Sequence, residues 1–133
     1  MEFSFHHTAL SVSDMESTVE FYSYFGFREV ASYSSRDFTV KHLKLGDFIL
    51  ELFWFREHTK TEPLPLWDDL KINGYRHIAL RVEDIYAILD MLKKDGYADR
   101  DTTIQRGKTG ILYFFIRDPD GNFVEIVQDD REL

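Results

Sequence analysis

The chain repeats itself, and that repeat restricts its possible folds more than any other feature. His7-Thr-Ala-Leu-Ser-Val-Ser-Asp14 returns 70 positions later as His77-Ile-Ala-Leu-Arg-Val-Glu-Asp84, with five of eight residues identical. The same offset carries Gly26 onto Gly96 and Phe27 onto Tyr97. Further on, Leu50-Glu51-Leu52 matches Val124-Glu125-Ile126 at an offset of 74. Matches that keep their order along the chain mark two copies of one supersecondary unit.

Each copy follows the same plan. Residues 3–12 and 75–82 alternate apolar and polar with the period of a strand. Asp14 and Asp84 are expected N-caps, and Ser13 with Glu16 fits a capping box. The helices that follow, near 15–25 and 85–95, carry apolar stripes of Met15, Val19, Tyr22 and Phe25, and of Ile85, Ile88, Leu89 and Leu92. Gly26 and Gly96 stand just past the helix ends, where a left-handed residue is wanted. Strands are expected at about 28–34, 38–45 and 47–55, and again at 102–106, 111–117 and 122–128. Asp118-Pro-Asp-Gly121 joins the last two through a turn. The fold class is therefore α+β, two tandem βαβββ modules in a single domain spanning 1–133. Module 1 covers about 3–55 and module 2 about 75–128. Residues 56–74 form a polar linker with Pro63, Pro65 and Gly74, and one helical turn is expected near Trp67–Lys71.

Alternation then assigns side chains to faces. Leu10 and Val12 belong under the first helix, which places His7, Ala9 and Ser11 on the opposite face. The repeat divides in the same way, with Leu80 and Val82 beneath the helix and His77, Ala79 and Arg81 opposite. Glu51 and Glu125, each flanked by aliphatic residues, also point away from the helices. Two such sheets facing one another would bring two imidazoles and two carboxylates into one cleft. A lone strand histidine is ordinarily a hydrogen-bonded or surface group, and a lone Glu between leucines ordinarily faces solvent. Glu51, however, lies in Phe48-Ile-Leu-Glu-Leu-Phe-Trp-Phe55, a run suited to burial on both faces. A carboxylate there needs a cation beside it. Because the order His, Glu, His, Glu recurs, His7, Glu51, His77 and Glu125 are the expected metal ligands.

The remaining histidines read as structural or solvated. His6, next to His7, is expected on the opposite face, and His42, between Lys41 and Lys44, is expected to be exposed, as is His58 in the linker. Lys93-Lys94 suits a helix C-terminus.

Composition excludes several classes. The chain has no cysteine, so thiolate-ligated metals, disulfides and thiol catalysis are ruled out, and any metal must be held by nitrogen and oxygen. Its 24 acids outnumber 16 bases for a net charge of −8, and no basic stripe interleaves with the aromatics, which argues against nucleic acid. No apolar run approaches membrane-spanning length and no leader-like segment opens the sequence, so a cytoplasmic protein is expected.

These residues resemble the vicinal oxygen chelate superfamily, which includes glyoxalase I, extradiol dioxygenases, methylmalonyl-CoA epimerase, and fosfomycin and bleomycin resistance proteins. The resemblance covers nearly the whole chain. It rests on His-x-x-Leu-x-Val-x-Asp twice, Phe21-Tyr22 before Gly26-Phe27, Leu50-Glu51-Leu52, and Asp118-Pro-Asp-Gly-Asn-Phe-Val-Glu125. It implies two modules forming a cleft around a divalent metal, with His7, Glu51, His77 and Glu125 at the family's ligand positions. It also implies a homodimer with shared sites. Within the superfamily the chain is most similar to small bacterial glyoxalase-I-like proteins. Ser11 and Phe55 depart from that pattern, standing where bacterial glyoxalase I has a basic residue and an Asn that contact glutathione. Arg81 and Lys108, the latter in the loop Arg106-Gly-Lys108-Thr-Gly110, are candidate substrate contacts.

Two imidazoles and two carboxylates suit Ni, Co, Zn, Mn or Fe(II). An octahedral ion with four protein ligands keeps two adjacent positions for neighbouring substrate oxygens and acts as a Lewis acid toward the adjoining C–H. Glu125 is the expected general base and Glu51 its pseudo-symmetric partner. Phe53, Phe55 and Phe123 share the glutamates' face and would keep the cleft dry. The expected activity is a metal-dependent lyase or isomerase acting on a small α-hydroxycarbonyl or hemithioacetal. An Fe(II) dioxygenase and a resistance-type small-molecule binder are the alternatives.

Overall fold

The computed structural model describes residues 1–133. It contains two four-stranded sheets with the same strand order, each with a helix on one face. In chain order the elements are β1 (His7–Ser11), α1 (Met15–Tyr24), β2 (Arg28–Ser34), β3 (Phe38–Leu45), β4 (Phe48–Phe55), α2 (Leu66–Leu70), β5 (Ile78–Arg81), α3 (Ile85–Lys94), β6 (Gln105–Arg106), β7 (Leu112–Arg117) and β8 (Phe123–Gln128). The sheets run β1-β4-β3-β2 and β5-β8-β7-β6. In each, the first strand lies parallel to the last, and the remaining pairs are antiparallel. This is the α+β architecture of two tandem βαβββ modules. The chain clusters into two compact units, Met1–Glu62 and Pro63–Leu133.

In the first unit, α1 packs on β4. Its cap is Asp14, as expected, whose Oδ1 accepts from the Ser17 backbone N–H at 3.1 Å. The buried face of α1 is Thr18, Phe21 and Tyr22, and it is rotated from the expected stripe of Met15, Val19, Tyr22 and Phe25. Thr18 can be buried because its hydroxyl donates to the Asp14 carbonyl at 2.7 Å, leaving only its methyl to pack. Leu43, Leu50 and Leu52 complete this core, and each is essentially inaccessible. A fully buried Leu stabilises by about 2 kcal/mol, so Leu50 and Leu52 together fix which face of β4 looks inward.

The β3–β4 hairpin sets the register. Gly46 has φ +59°, a left-handed conformation that favours glycine, and it begins the two-residue turn Gly46-Asp47 that suits the twist of flanking strands. From that turn Leu45 pairs with Phe48, Leu43 with Leu50, and His42 with Glu51.

The second unit repeats the scheme. Asp84 Oδ1 accepts from Ala87 N–H, α3 buries Ile85, Leu89 and Leu92, and α3 packs on β8. The hairpin here is made by Asp118-Pro-Asp-Gly121. The Asp118 carboxylate is buried and accepts from the Asp120 N–H at 3.0 Å, the Asn122 N–H at 2.9 Å and Asn122 Nδ2 at 3.1 Å. Arg117 braces the same turn, donating to the Gly121 and Leu64 carbonyls while its guanidinium carbon lies 4.1 Å from the Phe123 ring centroid. The linker helix is joined to the entry of β5 by Arg76, which donates to Asp69 at 2.7 Å.

The first strand of each module is shorter than its sequence pattern. Residues 3–6 and 75–77 lie outside β1 and β5, whose ladders begin with His7 beside Ile49 and Ile78 beside Val124. The expected strand at 102–106 contracts to Gln105–Arg106, since Thr102 turns back to donate to the Asp99 carbonyl.

The Asp118→Ala variant should lose about 2–3 kcal/mol in a urea titration, the expected cost of leaving charge-assisted donors unpaired. Asp118→Asn, which keeps an acceptor, should lose less. Equal losses would contradict the role given to the carboxylate.

Candidate functional site

Each module places one His–Glu pair on the sheet face turned away from its helix. In module 1 the β1–β4 register sets His7 beside Ile49 and Ala9 beside Glu51, so His7 and Glu51 are diagonal neighbours on one face. His7 Nε2 lies 3.3 Å from Glu51 Oε1. In module 2 Ala79 pairs with Glu125, and His77 Nε2 lies 3.0 Å from Glu125 Oε1. The carboxylates are largely enclosed, with side-chain exposures of 19% for Glu51 and 13% for Glu125.

The donor separations bear on metal binding. Two ligand atoms at right angles around an ion, each about 2.1 Å from it, are about 3 Å apart. Both His–Glu pairs come close to that spacing, and both offer one imidazole nitrogen and one carboxylate oxygen. Within either unit, no group of three or more such side chains is arranged to hold an ion. Each unit thus presents one imidazole nitrogen and one carboxylate oxygen at about that spacing.

Two histidines outside the expected ligand set touch the first pair. His42 is not simply exposed: β3 pairs it with Glu51, and its Nε2 lies 2.7 Å from Glu51 Oε2. The two-residue turn at Gly46-Asp47 carries this information in the sequence, because counting back from it sets residue 42 opposite residue 51. His6 does not take the opposite face either. It precedes β1, where strand alternation no longer applies, and its Nδ1 lies 2.9 Å from His7 Nδ1. With Nδ1 engaged there, the His7 ring has Nε2 beside Glu51. His58 is exposed as expected, its Nδ1 2.6 Å from the Phe55 carbonyl.

The aromatic candidates fall into two groups. Phe53 and Phe55 lie nearly parallel with ring centroids 6.0 Å apart, and Phe38 extends the stack against Phe55 at 5.7 Å. Phe55, at the end of β4, is exposed. Phe123 is buried and packs edge-on against Phe115, which in turn meets the His77 ring at 4.9 Å. Arg81 shares its face with Ala79 in the strand pattern, and its guanidinium donates to the Asp129 backbone carbonyl. Lys108 sits exposed in a turn closed by Gly107 and Ile111. Arg131 anchors that loop to the C-terminal segment, donating to the Thr109 carbonyl and to both oxygens of Asp129. These hydrogen bonds, side chain first and backbone second, hold the Asp129 carboxyl well below the usual carboxylate range.

Comparison with known proteins follows this geometry. The family profile of the Glyoxalase/Bleomycin resistance protein/Dioxygenase superfamily matches residues 4–126. A Vibrio cholerae serotype O1 protein named "Probable lactoylglutathione lyase" is 31% identical, with 94% of this chain and 90% of that protein aligned. A Neisseria meningitidis serogroup A protein named "Lactoylglutathione lyase" is 28% identical over 92% of this chain and 88% of its own length. Among solved structures, a glyoxalase family protein from Enterococcus faecalis superposes with a TM-score of 0.76 at 27% identity, covering 93% of this chain and 96% of that one. No helix here is long and apolar enough to cross a membrane.

Arg131→Ala should raise the Asp129 titration, followed by carboxyl-carbon NMR, toward the ordinary range of about pH 4, with the backbone N–H of residue 131 retaining part of the lowering. In the unaltered protein Asp129 should stay ionised well below that pH. Whatever stability this contact supplies is present above the unfolded carboxyl's pKa and is lost as pH falls through the lowered folded value.

Proposed function

The chain belongs to the Glyoxalase/Bleomycin resistance protein/Dioxygenase superfamily, and from that premise we propose that it is a divalent-metal-dependent lyase or isomerase of the glyoxalase I type. The observation that carries this reading is the doubled His–Glu pair, with donor atoms at 3.3 and 3.0 Å, close to the edge length of one coordination polyhedron. In this reading His7, Glu51, His77 and Glu125 hold the ion, and the two modules act as one domain over residues 1–133. Nickel, cobalt, zinc, manganese or Fe(II) suits the donor set. The ion, when bound, supplies Lewis-acid stabilisation of negative charge on substrate oxygens beside the reacting carbon.

The chain's own residues do the rest. Glu125 removes a proton from the carbon next to a carbonyl and returns it to the neighbouring carbon. It suits the task better than Glu51, because it has one imidazole beside it and Phe115 opposite, whereas Glu51 has two imidazoles. Phe115 and Phe123 limit water beside Glu125, and Phe53 with Phe55 offers an apolar platform. The substrate class is a small α-hydroxycarbonyl or a hemithioacetal. Ser11 and Phe55 provide neither a cation nor an amide for glutathione, so a thiol other than glutathione fits this chain. Arg81 and Lys108 are the candidate anion contacts. We further propose a cytoplasmic homodimer in which sites are shared between copies.

The test is reconstitution with each metal, followed by hemithioacetal isomerisation assays with glutathione and with other thiols. Glu125→Gln should lower kcat by about 10²-fold or more, with the helical circular dichroism unchanged and metal content measured alongside. Full activity in that variant would overturn the assignment. For the shared site, His7→Ala and His77→Ala chains should each be inactive alone. Co-expressed, they should regain about a quarter of the activity through mixed dimers with one intact site. No recovery would place both halves of a site in one chain.

A further inference from the structure

The two modules repeat one plan, yet they do not treat their glutamates alike. Opposite Glu51 on the antiparallel neighbour stands His42, and opposite Glu125, at the corresponding register position, stands Phe115. Resting on the metal-centre reading above, we propose that His42 is a positioning residue for Glu51, holding that carboxylate as a fixed ligand by a contact that Glu125, faced by Phe115, lacks.

The geometry supports a positioning role over direct ligation. The two oxygens of Glu51 face different imidazoles: Oε1 lies 3.3 Å from His7 Nε2, and Oε2 lies 2.7 Å from His42 Nε2. The His42 contact is the shorter, 2.7 Å being an ordinary hydrogen-bond length, whereas the 3.3 Å between His7 and Glu51 is nearer the separation of two donors around one ion. The His7 and His42 rings are stacked at 23°, with centroids 6.3 Å apart. His42 is also part-buried, on a strand paired on both sides, so its ring has little freedom to leave the carboxylate. The bond to Oε2 thus restricts rotation of the Glu51 carboxylate and keeps Oε1 beside His7. Outer-shell donors of this kind commonly change metal affinity by about 10–100-fold.

The second module supplies the natural control. Phenylalanine already occupies the matching position there, so His42→Phe substitutes a side chain that this sheet geometry accommodates. Cobalt(II) binding to the full-length, metal-stripped chain is the direct measurement, by calorimetry and by the visible spectrum of the bound ion. His42→Phe is expected to weaken binding about 10–100-fold and to shift the spectrum, with helical circular dichroism unchanged. His42→Gln, which keeps an N–H donor, is expected to recover most of the loss. X-ray absorption of the cobalt-loaded wild-type chain should count two imidazoles, and the same two in His42→Phe. Equal cobalt affinity in wild type and His42→Phe overturns the positioning role and leaves the metal-centre reading standing. A third imidazole that disappears in His42→Phe makes His42 a ligand and likewise overturns the proposal. Failure of the wild-type chain to take up cobalt or any other divalent ion overturns the metal-centre reading and this inference with it.

Discussion

The central strand of each sheet is the constraint on which the candidate site depends. β4 and β8 are paired on both sides, so their backbone groups are committed to ladders and their side chains have two faces to choose between. Leu50 and Leu52, and Val124 and Ile126, are buried against the helices. A one-residue slip would drive Glu51 or Glu125 into the core and expose the aliphatics, an exchange costing several kcal/mol for each buried residue. Hydrophobic burial on one face therefore aims the carboxylate on the other. The parallel first strand then brings its histidine to that carboxylate, because it packs at the edge next to the central strand in a register held by the same core.

Each hairpin adds a second control. Gly46-Asp47 in one module and Asp118-Pro-Asp-Gly121 in the other end one strand and start the next, so the residue facing each glutamate follows from turn length alone. The two turns are built differently. Both use a glycine at positive φ, and the second adds a buried aspartate that gathers backbone donors. The outcome is equivalent registers with different side chains facing the glutamates, an imidazole in one module and a phenyl ring in the other. A duplicated scaffold can in this way keep paired glutamates and still give them unequal surroundings.

Much of the fold was legible in the sequence, for reasons that can be named residue by residue. Asp14 and Asp84 cap their helices, Gly26 and Gly96 follow the helix ends at positive φ, and strand periods locate β2, β3, β4, β7 and β8. The less legible features are those that depend on a neighbour. β1 and β5 start later than their patterns, α1 turns to bury Thr18 and Phe21, and β6 shrinks to two residues. His6 and His42 looked peripheral because adjacency and flanking lysines describe a strand alone. Their contacts with His7 and Glu51 come from where β1 begins and from cross-strand pairing.

The sequence by itself determined that there are two equivalent modules, that His7, Glu51, His77 and Glu125 occupy corresponding positions in them, and that any metal here must be held by nitrogen and oxygen. Periodicity and residue chemistry are local properties, and they suffice for that much. Tertiary structure alone decided that His7 reaches Glu51 and His77 reaches Glu125, at 3.3 and 3.0 Å. It also decided that Arg81 is engaged by the Asp129 carbonyl. Those are relations between residues distant along the chain, set by register and by packing against a shared core, and no one-dimensional pattern contains them until the strands are paired.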